Sequence, residues 1–160
     1  PHIMRALIHL VTEVVPSMAK ANTDRIILTG LSAGAHGTWA LASAYPGVFA
    51  FIVPICGGLP SNNPQVLANL LTSKIWIFHG QNDAIIPVTD SDEAMKFLSE
   101  SQEDPSGLES ATEEETSGNE RLKYTRFENS PGGFANMDGH ASWLQAYFGY
   151  ADVLYPWLLQ

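Results

Sequence analysis

Cysteine and basic side chains are both scarce in this sequence. Cys56 is the single cysteine among 160 residues, which excludes an internal disulfide and a zinc site built from several cysteines. Lys and Arg number 8 against 17 Asp and Glu, so the formal net charge is −9 at pH 7. Because nucleic acids and anionic lipid surfaces attract positively charged proteins, we expect no nucleic-acid partner.

Long uninterrupted apolar runs are absent as well. The most apolar N-terminal stretch, residues 3–19, contains four residues that interrupt it: Arg5, His9, Glu13 and Pro16. This stretch predicts neither a membrane span nor the hydrophobic region of a signal peptide. Its apolar side chains recur at helical spacing, and Pro16 is expected to kink or shorten that helix. The chain begins with Pro1 rather than methionine, from which we expect further residues upstream.

Apolar residues make up 45% of the sequence, which is enough for the core of one domain spanning residues 1–160. Residues 99–119 differ from the rest because they lack hydrophobic periodicity and are rich in Ser, Glu, Thr and Gly. Eight acids and no Lys or Arg lie between Glu100 and Glu120. We therefore predict an acidic, flexible insertion at residues 99–119.

Apolar runs and helical patterns alternate along the remainder of the chain. Buried strands are predicted over residues 25–29, 51–55 and 74–78. Helices are predicted over residues 33–45, 64–71, 89–98, 141–148 and 151–159. Residues 121–127 alternate charged and apolar side chains, which predicts a more exposed, edge-like strand. The whole pattern predicts an α/β fold with a mainly parallel sheet of about four strands and helices on both faces.

The segment Gly30-Leu31-Ser32-Ala33-Gly34 has the form G-x-S-x-G and lies where a predicted strand turns into a predicted helix. Such a turn presents a serine hydroxyl at the carboxyl end of the strand, beside the N-terminus of the helix. Ser32 is therefore a candidate nucleophile. The backbone N–H of Ala33 is a candidate donor to an oxyanion, because the helix N-terminus favours negative charge.

Two other interpretations of this segment stay open. It is also compatible with a small-residue turn where a strand and a helix pack closely. Residues 29–36 approximate the T-G-x-x-x-G-x-G loop of NAD(P)-dependent short-chain dehydrogenases. However, His36 stands at the last glycine position, and no Y-x-x-x-K pair occurs in the sequence. The dehydrogenase is therefore the less favoured alternative.

A serine nucleophile needs a general base and an acid that orients it. In hydrolases whose nucleophilic serine lies on such a strand-to-helix turn, the order along the chain is Ser, acid, His. Of the five histidines, only His140 follows every suitable acid. Asp83 directly follows the third predicted strand and is the strongest candidate acid. Asp138 is too near His140 in sequence to support it well. The acids of residues 90–93 suit the first turn of a helix better.

The remaining chemically capable residues have structural interpretations. His79 ends a buried strand and is expected to be hydrogen bonded there. His36 either lines a pocket or packs, and Cys56 is expected to be an unreactive core thiol. No H-E-x-x-H, EF-hand or P-loop pattern occurs, so we expect no metal ion and no cofactor.

Three motifs in this order resemble the α/β-hydrolase superfamily, and in particular the esterases of the dienelactone hydrolase, phospholipase/carboxylesterase and predicted-peptidase group. The motifs are the G-x-S-x-G segment, His79-Gly80 with Asp83 and Pro87, and Gly139-His140 with Ser142-Trp143. The resemblance implies that Ser32 is the nucleophile, Asp83 the acid, His140 the base and Ala33 one oxyanion donor. It implies cleavage of a small-molecule ester or related acyl substrate through an acyl-enzyme.

The sequence departs from that group in two ways. Ala33, Ala35 and His36 stand where the group often has Met, Gly and Tyr. The resemblance covers only the C-terminal half of the fold, without the first strands and the loop that gives a second oxyanion N–H. The strand at residues 25–29 is then expected to have a bare edge, which a missing N-terminal segment or an oligomer partner would cover. The alternative function is a catalytically impaired fragment or an interaction module.

Overall fold

A computed structural model describes residues 2–102, 116–132 and 139–160. Most of the predicted acidic insertion lies outside the described residues, and so does Asp138. The two described ends of that insertion are ordered into secondary structure, since one belongs to a helix that ends at Glu100 and the other to a strand that begins at Thr116.

A five-stranded sheet forms the centre of the described structure. Its strands are β1 (Ile27–Leu31), β2 (Phe51–Ile55), β3 (Lys74–Gly80), β4 (Thr116–Gly118) and β5 (Leu122–Phe127). The spatial order is β1-β2-β3-β5-β4, and all pairs are parallel except β4 with β5. The expected mainly parallel α/β sheet is confirmed, with one antiparallel strand more than the four predicted.

The strand predicted over residues 121–127 is not an edge strand, and that expectation is wrong. β5 lies between β3 and β4, and the outer position falls to β4, which pairs with it through the register Thr116↔Thr125. The charged side chains of β5 are only partly exposed. Lys123 lies with its Nζ 4.8 Å from the centre of the Trp76 ring, because a long side chain can cover an aromatic surface and still expose its charge.

The N-terminal segment is helical, as predicted, but it is not buried. It comprises α1 (His2–His9), a π-helical turn (Leu10–Val14) and α2 (Val15–Met18). Pro16 has no N–H, and its ring crowds the carbonyl four residues earlier, which explains the widened turn directly before it. Met4 and Ile8 pack against the core, whereas most of the predicted apolar stripe is exposed. No helix among residues 2–102, 116–132 and 139–160 is long and apolar enough to cross a lipid bilayer.

Helices cover both faces of the sheet. Beyond the N-terminal segment, they are α3 (Ala33–Ala44), α4 (Pro64–Leu70), α5 (Thr89–Glu100), α6 (Ser142–Leu144) and α7 (Ala151–Leu158), with a π-helical turn at Gln145–Gly149. One buried cluster, centred on Trp39, Ile75 and Leu98, lies on the side of α3, α4 and α5. The other contains Trp76, Phe78 and Trp157 and lies under the C-terminal helices.

Candidate active site

Ser32 occupies a sharp turn between β1 and α3. Its backbone has φ 54° and ψ −122°, a conformation that L-residues rarely adopt and that costs of order 1–3 kcal/mol. The turn is held on both sides, since Ser32 N–H donates to the Ile55 carbonyl (2.9 Å) and the Ser32 carbonyl accepts from Ala35 N–H (2.9 Å). The sequence prediction of a strand-to-helix turn at this serine is therefore confirmed.

The two glycines of the motif have different roles. A Cβ at Gly30 would overlap the carbonyl of Gly34, so glycine is needed where β1 passes the first turn of α3. A Cβ at Gly34 would meet nothing within 4 Å. The close approach of strand and helix thus depends on the first glycine of the motif and not on the second.

His140 lies in the loop before α6 and contacts both other candidates. Its Nε2 lies 2.9 Å from Ser32 Oγ, and its Nδ1 lies 2.7 Å from Asp83 Oδ2. A carboxylate can only accept, so Nδ1 carries the hydrogen and Nε2 accepts from the serine hydroxyl. His140 is only 1% exposed, and the edge of its ring meets Trp143 at a centroid distance of 5.5 Å. The imidazole is therefore held in one orientation.

Asp83 follows β3 and has a hydrogen-bond partner on each carboxylate oxygen. Oδ1 accepts from the N–H groups of Ile85 (2.8 Å) and Ile86 (2.9 Å), and Oδ2 faces His140. Burial by itself raises the pKa of Asp83, but the hydrogen bonds from His140, Ile86 and Ile85 outweigh it and hold the pKa below its ordinary value. The carboxylate is thus charged at neutral pH.

The loop geometry brings His140 to Asp83. Gly139 has φ 75°, and a Cβ there would overlap the backbone of Asn82. Asn82 in turn donates from its amide to the Ser130 carbonyl at 3.1 Å and accepts from Ser130 N–H at 2.8 Å. The loop after β3 and the segment that leads to His140 are therefore bound to each other.

Cys56 is buried beside this site. Its thiol sulfur, an Asp83 oxygen and a His140 nitrogen lie within 4.8 Å of one another. Burial raises the pKa of the thiol to about 11, and a thiol that keeps its proton is a poor metal ligand. Asp83 and His140 are also hydrogen bonded to each other. This arrangement suits proton transfer better than metal binding.

Ala33 and His36, the other two predicted residues, both lie in the first turn of α3. Ala33 is the first residue of α3, and N–H groups in the first turn of a helix have no carbonyl partner within that helix. His36 lines a cavity of about 480 Å³ together with Asp90 and Glu93, and its Nδ1 lies 3.1 Å from the Gly58 carbonyl. Of the two interpretations given for His36, the pocket is the one that the structure favours.

One contact at this candidate site was not predicted from the sequence. His79 was expected to be hydrogen bonded, and it is, but one of its neighbours is Asp83, with Nε2 3.2 Å from Oδ2. The spacing of four residues in a tight turn at the end of β3 is the signal that could have indicated it. The structure thus brings together Ser32, His140, Asp83 and also His79.

Residues 1–120 match the family model described as phospholipase/carboxylesterase. No curated protein matches the chain. Among solved structures, a thermostable esterase aligns with a TM-score of 0.74 and 26% identity over 99% of this chain and 36% of its own.

Two further structures share the fold at lower identity. A protein of Klebsiella pneumoniae subsp. pneumoniae MGH 78578 assigned as a dienelactone hydrolase has a TM-score of 0.64 and 16% identity over 99% of this chain and 60% of its own. The acetyl xylan esterase of Aspergillus awamori has a TM-score of 0.64 and 18% identity, over 92% and 67%. The chain thus spans between about a third and two thirds of the length of these proteins.

Proposed function

The chain belongs to the phospholipase/carboxylesterase family of α/β hydrolases, and from this premise we propose that it carries the catalytic residues of a serine esterase. Ser32 is the nucleophile, His140 the general base and Asp83 the acid that orients it. The substrate class is a small-molecule ester or a related acyl compound. The reaction passes through an acyl group bound to Ser32.

The proposed reaction has two halves. In the first, Ser32 Oγ attacks the acyl carbon while His140 Nε2 takes its proton and then gives it to the leaving alcohol. In the second, His140 takes a proton from the water that attacks the acyl-enzyme, and then returns it to Ser32 Oγ as that oxygen leaves and the acid is released. Asp83 keeps the hydrogen on His140 Nδ1 and stabilises the imidazolium that forms twice in the cycle.

The negatively charged oxygen of each tetrahedral intermediate needs a hydrogen-bond donor to stabilise it. The N–H of Ala33, at the N-terminus of α3, suits this role because the end of the helix carries partial positive charge. In enzymes of this type one oxyanion donor is worth about 10²- to 10³-fold in rate. The Ala33 N–H is therefore expected to account for a large part of the rate.

The observation that carries the proposal is the pair of hydrogen bonds made by one imidazole, at 2.9 Å to Ser32 Oγ and 2.7 Å to Asp83 Oδ2. Asp83 lies 51 positions after Ser32, and His140 lies 57 positions after Asp83. This is the order expected for a serine on a strand-to-helix turn of this kind. A small-residue turn with no catalytic role would not require a histidine and a buried carboxylate in line with its serine.

A fluorophosphonate probe tests the proposal, because it reacts covalently with an activated serine. We expect the chain to be labelled, Ser32→Ala to lose labelling entirely, and His140→Ala to lose about 10³-fold or more of the labelling rate. Ser17→Ala is the matched control, since that hydroxyl is exposed and contacts only its own helix at Val14. A folded chain that the probe does not label would instead favour the catalytically impaired fragment or interaction module.

A further inference from the structure

The carboxylate of Asp83 has a second histidine neighbour. Its Oδ2 lies 2.7 Å from His140 Nδ1 and 3.2 Å from His79 Nε2. The side chains of His79 and Asp83 are both 0% exposed, so water does not compete for this contact. One oxygen is thus shared by two imidazoles, and only one of them faces Ser32.

The other neighbours of His79 fix which nitrogen carries its hydrogen. Nε2 also lies 3.0 Å from the carbonyl oxygen of Ile86, and a carbonyl can only accept, so Nε2 is the donor. Nδ1 lies 2.7 Å from Ser91 Oγ and accepts the hydroxyl hydrogen in the neutral ring. Burial lowers the pKa of His79, which favours the neutral ring as well.

His79 also stabilises the loop that holds the other oxygen of the carboxylate. The N–H of Ile86 donates to Asp83 Oδ1 at 2.9 Å, while the carbonyl of Ile86 accepts from His79. Ser91 is a fully buried residue in the first turn of α5. The orientation of the Asp83 carboxylate is therefore linked to α5 through Ser91 and His79.

We propose that His79, oriented by Ser91, is a positioning residue that acts on His140 through Asp83. This inference rests on the proposed function. The single Nε2 hydrogen of His79, which the Ile86 carbonyl also accepts, lies on the side of Oδ2 at a nitrogen–oxygen distance of 3.2 Å and withdraws negative charge from the oxygen that faces His140. The imidazolium of His140 is then stabilised less strongly than it would be by Asp83 without this neighbour. Among the residues that the structure describes, further titratable groups near this network include Asp92 on α5 and Cys56 after β2.

The test measures the rate of fluorophosphonate labelling of the chain from pH 5 to 9 in matched variants. His79→Leu removes the donor and keeps a buried side chain of similar size, whereas His79→Gln keeps an N–H near the position of Nε2. For His79→Leu we expect the pH midpoint of labelling to move up by about one unit, because one hydrogen bond to a charged group is of that size. Labelling at pH 7 should then be several-fold slower, and at pH 9 within about threefold of the unmodified chain.

His79→Gln is expected to keep the original midpoint. Ser91→Ala removes the group that fixes the tautomer and should move the midpoint in the same direction as His79→Leu, by less. Ser99→Ala on the same helix is the control, since its hydroxyl contacts the Met95 carbonyl of its own helix. An unchanged midpoint in His79→Leu, or equal losses at every pH in His79→Leu and His79→Gln, would overturn the proposal, since either result would mean that His79 only supports the fold.

NMR of the His140 imidazole needs no labelling reaction, so it tests the role of His79 separately from the proposed function. If the unmodified chain is not labelled at all, the proposed function fails, and the imidazole resonances of His140 followed by NMR across the same pH range decide the inference. We expect the pH at which they titrate to be higher in His79→Leu than in the unmodified chain and in His79→Gln. If the His79→Leu substitution prevents folding, as judged by circular dichroism, the Ser91→Ala titration decides the outcome.

Discussion

The residues that directly follow the neighbouring strands β1 and β2 share an unusual backbone conformation. Ser32 and Cys56 have φ values of 54° and 48°, and each directly follows a strand. Each is held by a hydrogen bond to the next strand, from Ser32 N–H to Ile55 O (2.9 Å) and from Cys56 N–H to Phe78 O (2.8 Å). The parallel hydrogen-bonding pattern therefore continues one residue past both strands, which balances the local cost of the turn.

The buried His79 ring makes the folded chain sensitive to mild acid. Its pKa is lowered by burial, so the unfolded chain takes up a proton near pH 6.5 while the folded chain does not. The contribution of His79 to stability is thus complete above about pH 6.5 and decreases as the pH falls towards its folded pKa, by at most about 1.4 kcal/mol per pH unit. Urea denaturation at pH 7.5 and pH 5 should give a lower free energy of unfolding at pH 5.

His79→Gln should reduce this difference, because glutamine does not titrate. Asp83 does not mask the result, since its pKa is lowered and its contribution is lost only below the ordinary range of a carboxyl group, near pH 4. A decrease in stability between pH 7.5 and pH 5 that is as large in His79→Gln as in the unmodified chain would assign the effect to other groups.

At the scale of elements, the packing of β1 against α3 determines where the Ser32 hydroxyl lies. The structure assigns this contact to Gly30 alone, because a Cβ there would overlap Gly34 whereas a Cβ at Gly34 meets open space. Gly30→Ala should lower the free energy of unfolding by about 2 kcal/mol, as expected for overpacking. Gly34→Ala should change it by less than about 1 kcal/mol, with alanine favoured in a helix. Urea denaturation of both variants measures the difference, and equal effects would contradict this assignment.

The elements that the sequence predicted well are those defined by buried apolar runs. The strand at residues 51–55 is found with the predicted ends, and its five residues are all buried. The prediction at residues 25–29 was two residues early, because Arg25 belongs to a 3-10 turn and Gly30 and Leu31 continue the strand. Hydrophobicity alone does not determine where a strand ends when the next residues are small or polar.

The strand that was not predicted from the sequence depends on pairing between distant segments. β4 has three residues, all within the acidic region, and it exists through its register with β5. That pairing also makes the edge interpretation of residues 121–127 wrong. The contact of Ser32, Asp83 and His140 was more predictable, since the three residues follow from motif order, whereas the His79–Asp83 contact depends on the shape of one turn.

At the scale of the whole molecule, apolar side chains remain exposed on the N-terminal helical segment and on β1. Ile3 and Met18 on the N-terminal helical segment are 78% and 81% exposed, and Ile27 on β1 is 40% exposed. Among the described residues, β1 pairs with β2 only, so its other edge also offers unpaired backbone groups. Exposed edges and apolar patches of this kind promote association between chains.

We therefore expect the chain studied alone to self-associate as its concentration rises, despite its net charge of −9, because the acids are concentrated elsewhere in the sequence. Analytical ultracentrifugation of the chain and of a Met18→Lys, Ile27→Lys double variant measures this effect. A charge on the exposed helix and another on the edge strand should shift the distribution towards the monomer. Ile85→Lys in the loop after β3, also an exposed apolar residue (51%), is the control. If it disperses the chain equally well, general surface charge controls association, and the surface around β1 has no special role.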